Sequence, residues 1–389
     1  MPVNYQDLYT RIKAIGAGAK ERRKKKEDAQ AQARDLLAYF DARLDLLRAK
    51  VDSAKTADAN IRCAYPLDEN LASSYPPPDS VKEATVIAAD GSQIVPNRHD
   101  ALQYYVINIG AIVMQVGSGN TPEVFTDTEL HMLDEFEDTF FSDSQVALQR
   151  DTAERKKLLE VARRYSGTII ALTEGQLELW GATDSDNSKD FEKSLKDYID
   201  TLKEMEKQKV ITSGYVDKPG ANWVVRLLEV AMIPQDELPN LKKYHPFPGV
   251  TDLWLFSRIL GKHERSAIFK LQAKSAEKYT GAISIHFFYI NVGDEKKPKI
   301  ARVDVPLWVV NNKEALNNLH GTLIEQSKIM GNEPFPYLLH RAHEIAVVTH
   351  KDKEEIDQML AIEIRNSGGE VGEKSGKQSA KDLPGKTKR

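Results

Sequence analysis

Two short, continuous apolar runs, residues 85–89 and 168–173, most constrain what this chain can become. Each has strand length. Each stops at a carboxylate followed by glycine: Asp90-Gly91-Ser92 after the first, Glu174-Gly175 after the second. Apolar runs of this length, bounded by turn-forming residues, read as strands buried in a sheet. Residues 104–116 give a further candidate strand, and residues 144–165 a helix with Asp143 and Ser144 as candidate caps. Residues 223–231 read as an apolar helix. Residues 283–292 and 300–310 read as two strands joined by a charged turn, and residues 316–330 as another helix. Pro334 and Pro336 break the chain before a last helix and strand near residues 337–349. Strands and helices mixed in this way predict an α/β fold with a mixed sheet.

Ahead of this region, residues 5–55 read as helix. Leu36, Leu37, Phe40, Leu44 and Leu47 recur at three- and four-residue spacing and form one apolar stripe. The basic run of residues 20–26 reads as a solvated helix face, with a DNA or partner contact as the alternative. Three prolines in residues 75–79 exclude helix interior and mark a linker. The expected organisation is an N-terminal helical segment and linker over residues 1–75 and a main domain over 80–366. Residues 182–210 form a polar helical insertion, and residues 367–389 a Gly/Ser/Lys-rich flexible tail.

Composition enters at three points. The chain has 389 residues, 41% of them hydrophobic, which suffices for one large or two modest cores. Its net charge is only -4, so nucleic-acid binding would need a local basic patch beside acidic surface. Cys63 is the single cysteine, so no intramolecular disulfide can form. Residues 1–20 lack an apolar core of signal-peptide length, and no apolar run approaches the ~20 residues of a membrane helix. A soluble cytoplasmic protein with no membrane segment is expected.

The two strand-end carboxylates carry the chemistry. If their strands are neighbours, Asp90 and Glu174 converge and offer oxygen ligands to Mg²⁺ or Mn²⁺. Phosphodiester cleavage uses such an ion to activate water and to stabilise the leaving oxygen. The plainer alternative is that acid-glycine after a strand is simply turn chemistry.

The order of several segments resembles the NurA nucleases over residues 85–381. A strand followed by Asp90-Gly91-Ser92 matches the family's first motif. Arg150 to Glu154 looks like its Arg-x-x-x-Glu helix start, and Glu174 to Leu177 like its second acidic strand end. Gly214 to Pro219 with Val225 to Leu228, Glu264 to Phe269, Ala301 to Trp308, and Pro336 to Leu338 with Ala342 to Val347 follow in the family's order. The resemblance implies an RNase H-like core related to PIWI domains, with flanking helices. It implies Asp90, Glu154, Glu174 and His343 as catalytic and metal-site residues, with Mn²⁺ or Mg²⁺ as cofactor. His343 would be a ligand or a general acid/base, since imidazole titrates near neutrality; a half-buried helix histidine is the plain alternative. Two departures stand out. Glu174 replaces the usual aspartate, and Phe335 stands where a tyrosine is common, with Tyr337 nearby.

For DNA, Arg265, Arg302 and Lys218 are candidate phosphate contacts, with structural ion pairs as their alternative. The Lys-rich tail (Lys374, Lys377, Lys381) is a further candidate. Arg226, inside an apolar helix, is expected to pair with a carboxylate. Asp134, Glu137 and Asp151 read as solvated surface, and Glu160 as projecting from a different helix face than Glu154. The family's activity implies a 5′–3′ exonuclease and single-strand endonuclease that processes DNA ends, in recombination repair or phage defence. It also implies a homodimer and a HerA-type hexameric helicase as partner, with the N-terminal helix as a candidate contact. Two other readings are a catalytically inactive DNA-binding adaptor of the helicase and an RNA-cutting enzyme of the same fold.

Overall fold

The computed structural model describes residues 3–97, 99–133, 142–181 and 188–372. Asp134, Glu137, residues 182–187 of the polar insertion, and the tail with Lys374, Lys377 and Lys381 lie outside the described residues. In chain order the strands are β1 (Cys63–Pro66), β2 (Ser74–Tyr75), β3 (Ala84–Ile94), β4 (Tyr104–Val116), β5 (Glu123–Met132), β6 (Ile169–Glu174), β7 (Ile211–Val216), β8 (Arg265–Ser266), β9 (Phe269–Gln272), β10 (Ile285–Asn291) and β11 (Ile300–Pro306). The helices are α1 (Tyr5–Ala17), α2 (Ala19–Phe40), α3 (Leu44–Ala57), α4 (Asp143–Ala162), α5 (Ser188–Lys207), α6 (Trp223–Met232), α7 (Asp252–Phe256), α8 (Leu307–Val310), α9 (Lys313–Ile329), α10 (Tyr337–Ala346) and α11 (His350–Asn366).

The chain forms two compact units. One comprises Met1–Asp79 and Tyr215–Pro334, the other Ser80–Gly214 and Phe335–Arg389. In the first, β1, β9, β10 and β11 pair antiparallel in that order, and Phe256 stacks on Tyr289 at 4.5 Å. The expected N-terminal helix is three helices, interrupted at Gly18 and at residues 41–43. Of the Leu stripe, Leu37, Phe40 and Leu47 are buried, and α3, with Leu47, Val51 and Ala54 buried, packs against α6 and β1. Residues 20–26 are exposed along α2, as a solvated face requires. Buried Asp252 accepts hydrogen bonds from the backbone N–H of Val224 and Val225 at the start of α6 and from the Tyr289 hydroxyl. Arg226 pairs with Glu229 at 2.7 Å, as expected of a cation in an apolar helix.

The second unit carries the acidic residues. Its strands are ordered β7-β6-β3-β4-β5. β3 runs antiparallel to β4 and parallel to β6, and β4 runs antiparallel to β5. Three antiparallel strands, a crossover helix, and then strands added on the other side of the first make the RNase H-like arrangement. β4 shows how the sheet is covered. Tyr105, Ile107 and Ile109 point to one face and pack with Val146 of α4. Tyr104 and Val106 point to the other and pack, with Ile94, against Val348 and Ile356 and Leu360 of α11. This period-two division is the strand pleat read out in side chains.

Three local expectations change, and one strand, β5, is additional. β3 does not stop at Asp90 but runs on to Ile94. The cap of α4 is Ser142, which forms a capping box with Gln145. β5 carries mostly exposed side chains and so lacks the apolar pattern that marks a buried strand. The expected last strand is the end of α10 followed by a second helix, α11, capped by Thr349.

Candidate active site

Parallel pairing sets the site. The β3–β6 ladder runs from Thr85 opposite Ile169 to Ala89 opposite Thr173. Asp90 is therefore the first β3 residue past the ladder, and Glu174 ends β6 beside it. A cavity of about 430 Å³ opens there, lined by Asp90, Glu154, Glu174 and His343 together with Arg150 and Asp151. All four sequence-predicted catalytic residues thus meet in one cavity, although they come from β3, α4, β6 and α10.

The residues of the Asp90-Gly91-Ser92 triplet have separate tasks. Asp90 accepts from His343, with Nδ1 2.7 Å from Oδ2. Gly91 faces α4: a Cβ there would lie 2.6 Å from Cγ of Arg150 and 2.7 Å from Oε1 of Glu154. Glycine is needed for close approach, not for a turn. Ser92 faces α10, where its Oγ donates to the Ala346 carbonyl at 2.5 Å and accepts from the Val348 N–H at 2.9 Å. Asn108 of β4 donates to the same carbonyl at 2.8 Å. Those bonds satisfy backbone groups that a helix end leaves unpaired, and so seat the helix that carries His343. Gly175 is the turn glycine of the pair, with φ of +91° and open space around it.

Electrostatics at the cavity are dominated by crowded carboxylates. Burial, followed by the charge of Asp151, holds Glu154 well above the usual carboxylate range, with Arg150 opposing. Asp151 is also raised, again first by burial, although Arg150 contacts it at 2.7 Å. Arg150 further reaches Glu154 at 3.3 Å. Asp151 is therefore not solvated surface as expected, because α4 turns it toward the cavity. Glu160 does point elsewhere, toward Lys157 and Arg164.

Arg155 escaped the sequence reading. It is buried, donating to Thr173 Oγ1 and Thr212 Oγ1 at 2.7 Å each, so it ties α4 to β6 and β7. Its Nε has no hydrogen-bond partner. A buried arginine beside an acidic strand end is a charge counterweight, and its only sequence signal is adjacency to Glu154.

The donor set suits a divalent cation. Carboxylate oxygens dominate it, and at least one carboxylate is disfavoured in its charged form without a nearby positive charge. Among the described residues no three such side chains already surround one point.

Elsewhere the expected contacts divide. Arg265 is buried, pairs with Glu69 at 3.2 Å and stacks over Tyr75. Arg302 is 3% exposed, pairs with Asp304 at 2.7 Å and lies over Trp223. Both guanidiniums are committed to the fold of the first unit, where desolvated pairs hold them, and are not presented to a phosphate. Lys218 is exposed, in a left-handed backbone conformation with φ of +46°. Neither Phe335 nor Tyr337 lines the cavity.

The chain matches the family model described as the NurA domain over residues 84–348. Among solved structures it is similar to the NurA nuclease from Sulfolobus solfataricus, at 12% identity over 81% of this chain and 90% of that one, with a TM-score of 0.49. It is also similar to the catalytic domain of human endonuclease V, at 11% identity over 71% of this chain and 84% of that one, with a TM-score of 0.30. Drosophila Piwi shows 10% identity over 68% of this chain and 29% of that one, with a TM-score of 0.30. No curated protein matches the sequence.

Proposed function

The chain belongs to the NurA family of nucleases, and from that membership we propose that its acidic cavity cuts DNA strands with a divalent cation, Mn²⁺ or Mg²⁺. One observation carries the site assignment: Asp90, Glu154, Glu174 and His343 line the same cavity. Asp90, Glu154 and Glu174 would hold the ion. When bound, it supplies Lewis acidity that makes water a nucleophile and offsets charge on the leaving oxygen.

The chain's own groups do the rest. Asp90 accepts from Nδ1 of His343, an arrangement that would orient the ring and leave Nε2 free for proton exchange. Of the two roles open to His343, this geometry supports general acid/base. Arg150 balances part of the carboxylate charge, and Arg155 holds the strand ends in place. Of Arg265, Arg302 and Lys218, only Lys218 is exposed and would contact phosphate.

The family reading extends to a 5′–3′ exonuclease and single-strand endonuclease acting at DNA ends in the cytoplasm, in recombination repair or phage defence. No helix among the described residues is long and apolar enough to cross a membrane. The reading further extends to a homodimer and to a HerA-type hexameric helicase. Exposed Tyr5, Leu8, Tyr9, Ile12 and Ile15 on α1 support a protein contact there.

The test is cleavage of linear single- and double-stranded DNA with Mn²⁺, Mg²⁺ or EDTA, by wild type and Asp90→Asn. Metal-dependent cutting that Asp90→Asn loses is expected. No cutting by wild type, with helicase or DNA binding intact, supports the adaptor reading instead.

A further inference from the structure

Trp180 lies on the cavity wall and is 55% exposed, while the other aromatic ring there, Tyr198, is buried. An indole left so far in water forfeits much of its hydrophobic contribution. The segment that leads into it is nevertheless anchored. Leu177 and Leu179, which precede Trp180, are buried, and Tyr198 donates to the Leu177 carbonyl at 2.8 Å. The indole N–H donates at 3.2 Å to Glu178, a carboxylate that is only 3% exposed. Burying a carboxylate is costly, and here one is buried with the orientation of an exposed ring as part of its hydrogen bonding.

The charges in the cavity say what that ring would meet. Asp90, Asp151, Glu154 and Glu174 face two arginines, of which Arg150 is paired with Asp151 and Arg155 is buried. Apart from the phosphate at the cation, phosphates gain little from this wall, so the rest of a strand held here needs an uncharged grip. Bases provide one, because every base has a stackable face. In a duplex both faces are covered by neighbours.

We propose that Trp180 is a stacking site for an unpaired base of the DNA strand in the cavity, which makes the site select single-stranded segments and frayed ends. This rests on the nuclease reading. Stacking on one base is worth about a 5- to 150-fold change in affinity.

The test uses full-length protein carrying Asp90→Asn, with Mn²⁺ and fluorescein-labelled dT12. Label anisotropy reports binding, and tryptophan emission reports stacking. Emission is expected to be quenched on binding, and the quench to vanish in Trp180→Phe with little loss of affinity. Trp180→Ala, assayed well below its melting temperature, which loss of the hydrogen bond to Glu178 lowers, is expected to weaken binding about 5- to 150-fold. Trp180→Phe, which loses the same bond but keeps a stacking ring, controls for that loss. An abasic residue at the stacked position should weaken the Trp180 protein alike and add nothing in Trp180→Ala. Binding with no quench, or Trp180→Ala binding as tightly as its parent, overturns the proposal; so does no binding at all. Cleavage of dT12 by the wild type decides the nuclease reading separately. A protein that quenches on dT12 but does not cut keeps the stacking site and loses the nuclease.

Discussion

Gly110 on β4 sits opposite Asp90 in the register and carries the contact that brings His343 to it. A Cβ at this position would lie 2.6 Å from the backbone N of Ala346 and 2.9 Å from the carbonyl carbon of Ile345. These are main-chain atoms, so no rotamer change relieves the clash. To reach the 3.4 Å of ordinary contact, the end of α10 would have to retreat by roughly 0.8 Å. Overpacking of this kind costs about 1–3 kcal/mol. The same retreat takes the 2.7 Å bond between His343 and Asp90 toward ~3.5 Å, outside hydrogen-bond range. Misplacement on that scale lowers turnover by about 100-fold. Gly110→Ala is therefore expected to melt earlier and, when assayed well below its melting temperature, to cut DNA about 100-fold more slowly. Gly220→Ala, where nothing lies within 4 Å of the added carbon, is the matched control. Full cleavage at an unchanged melting temperature in Gly110→Ala would refute the seating of α10 on this glycine.

Glu154→Gln is expected to raise stability at neutral pH in EDTA while abolishing cleavage. The folded pKa of Glu154 lies above its unfolded value, chiefly through burial. Between those two values the folded chain keeps a proton that the unfolded chain has released, so stability falls as pH rises through that window and stays lower above it. Glutamine removes the penalty, so melting temperatures across a pH series should flatten; a glutamine variant that is less stable at pH 7 contradicts the raised pKa. Mn²⁺ should stabilise wild type more than this variant, because a ligand specific to the folded state adds to its stability. On α1, Ile12→Asp with Ile15→Asp should leave melting and cleavage unchanged but weaken association with a partner. The whole of α1 contributes no buried residue, so unaltered self-association and helicase binding in light scattering and pull-down would remove α1 from the interface.

How far the sequence discloses the site depends on whether the signal is local. Asp90 and Glu174 are legible because a buried strand and its carboxylate are adjacent in the chain, and parallel pairing then brings them together. Glu154 and His343 are not legible by pattern alone. α4 buries charged residues along with apolar ones, including Glu154, Arg155 and Lys157, so its polar sequence hides which face is inward. Only the ordered family motifs single them out. The same ambiguity hides Asp151, read as solvated but turned toward the cavity. For Arg265 and Arg302 it is the ion-pair alternative that the structure shows: Arg302 pairs with Asp304 two residues on along one strand face, whereas Arg265 pairs with Glu69, which no local spacing foretells.

The Asp90-Gly91-Ser92 triplet shows why a turn-like string can occur mid-strand. In an extended chain successive side chains alternate between faces. Asp90 and Ser92 therefore look toward α10, and Gly91 looks toward α4. One face needs a carboxylate for His343 and a hydroxyl for the end of its helix. The other needs no side chain at all, because Arg150 and Glu154 occupy that space. Turn propensity is a statement about isolated residues and misreads such a string, since here two helices on opposite faces of one strand dictate it. The acid, the absent side chain and the hydroxyl are thus one device: changing Asp90 removes the carboxylate of the carboxylate–imidazole pair, while changing Gly91 should disturb that pair through α4 and changing Ser92 through α10.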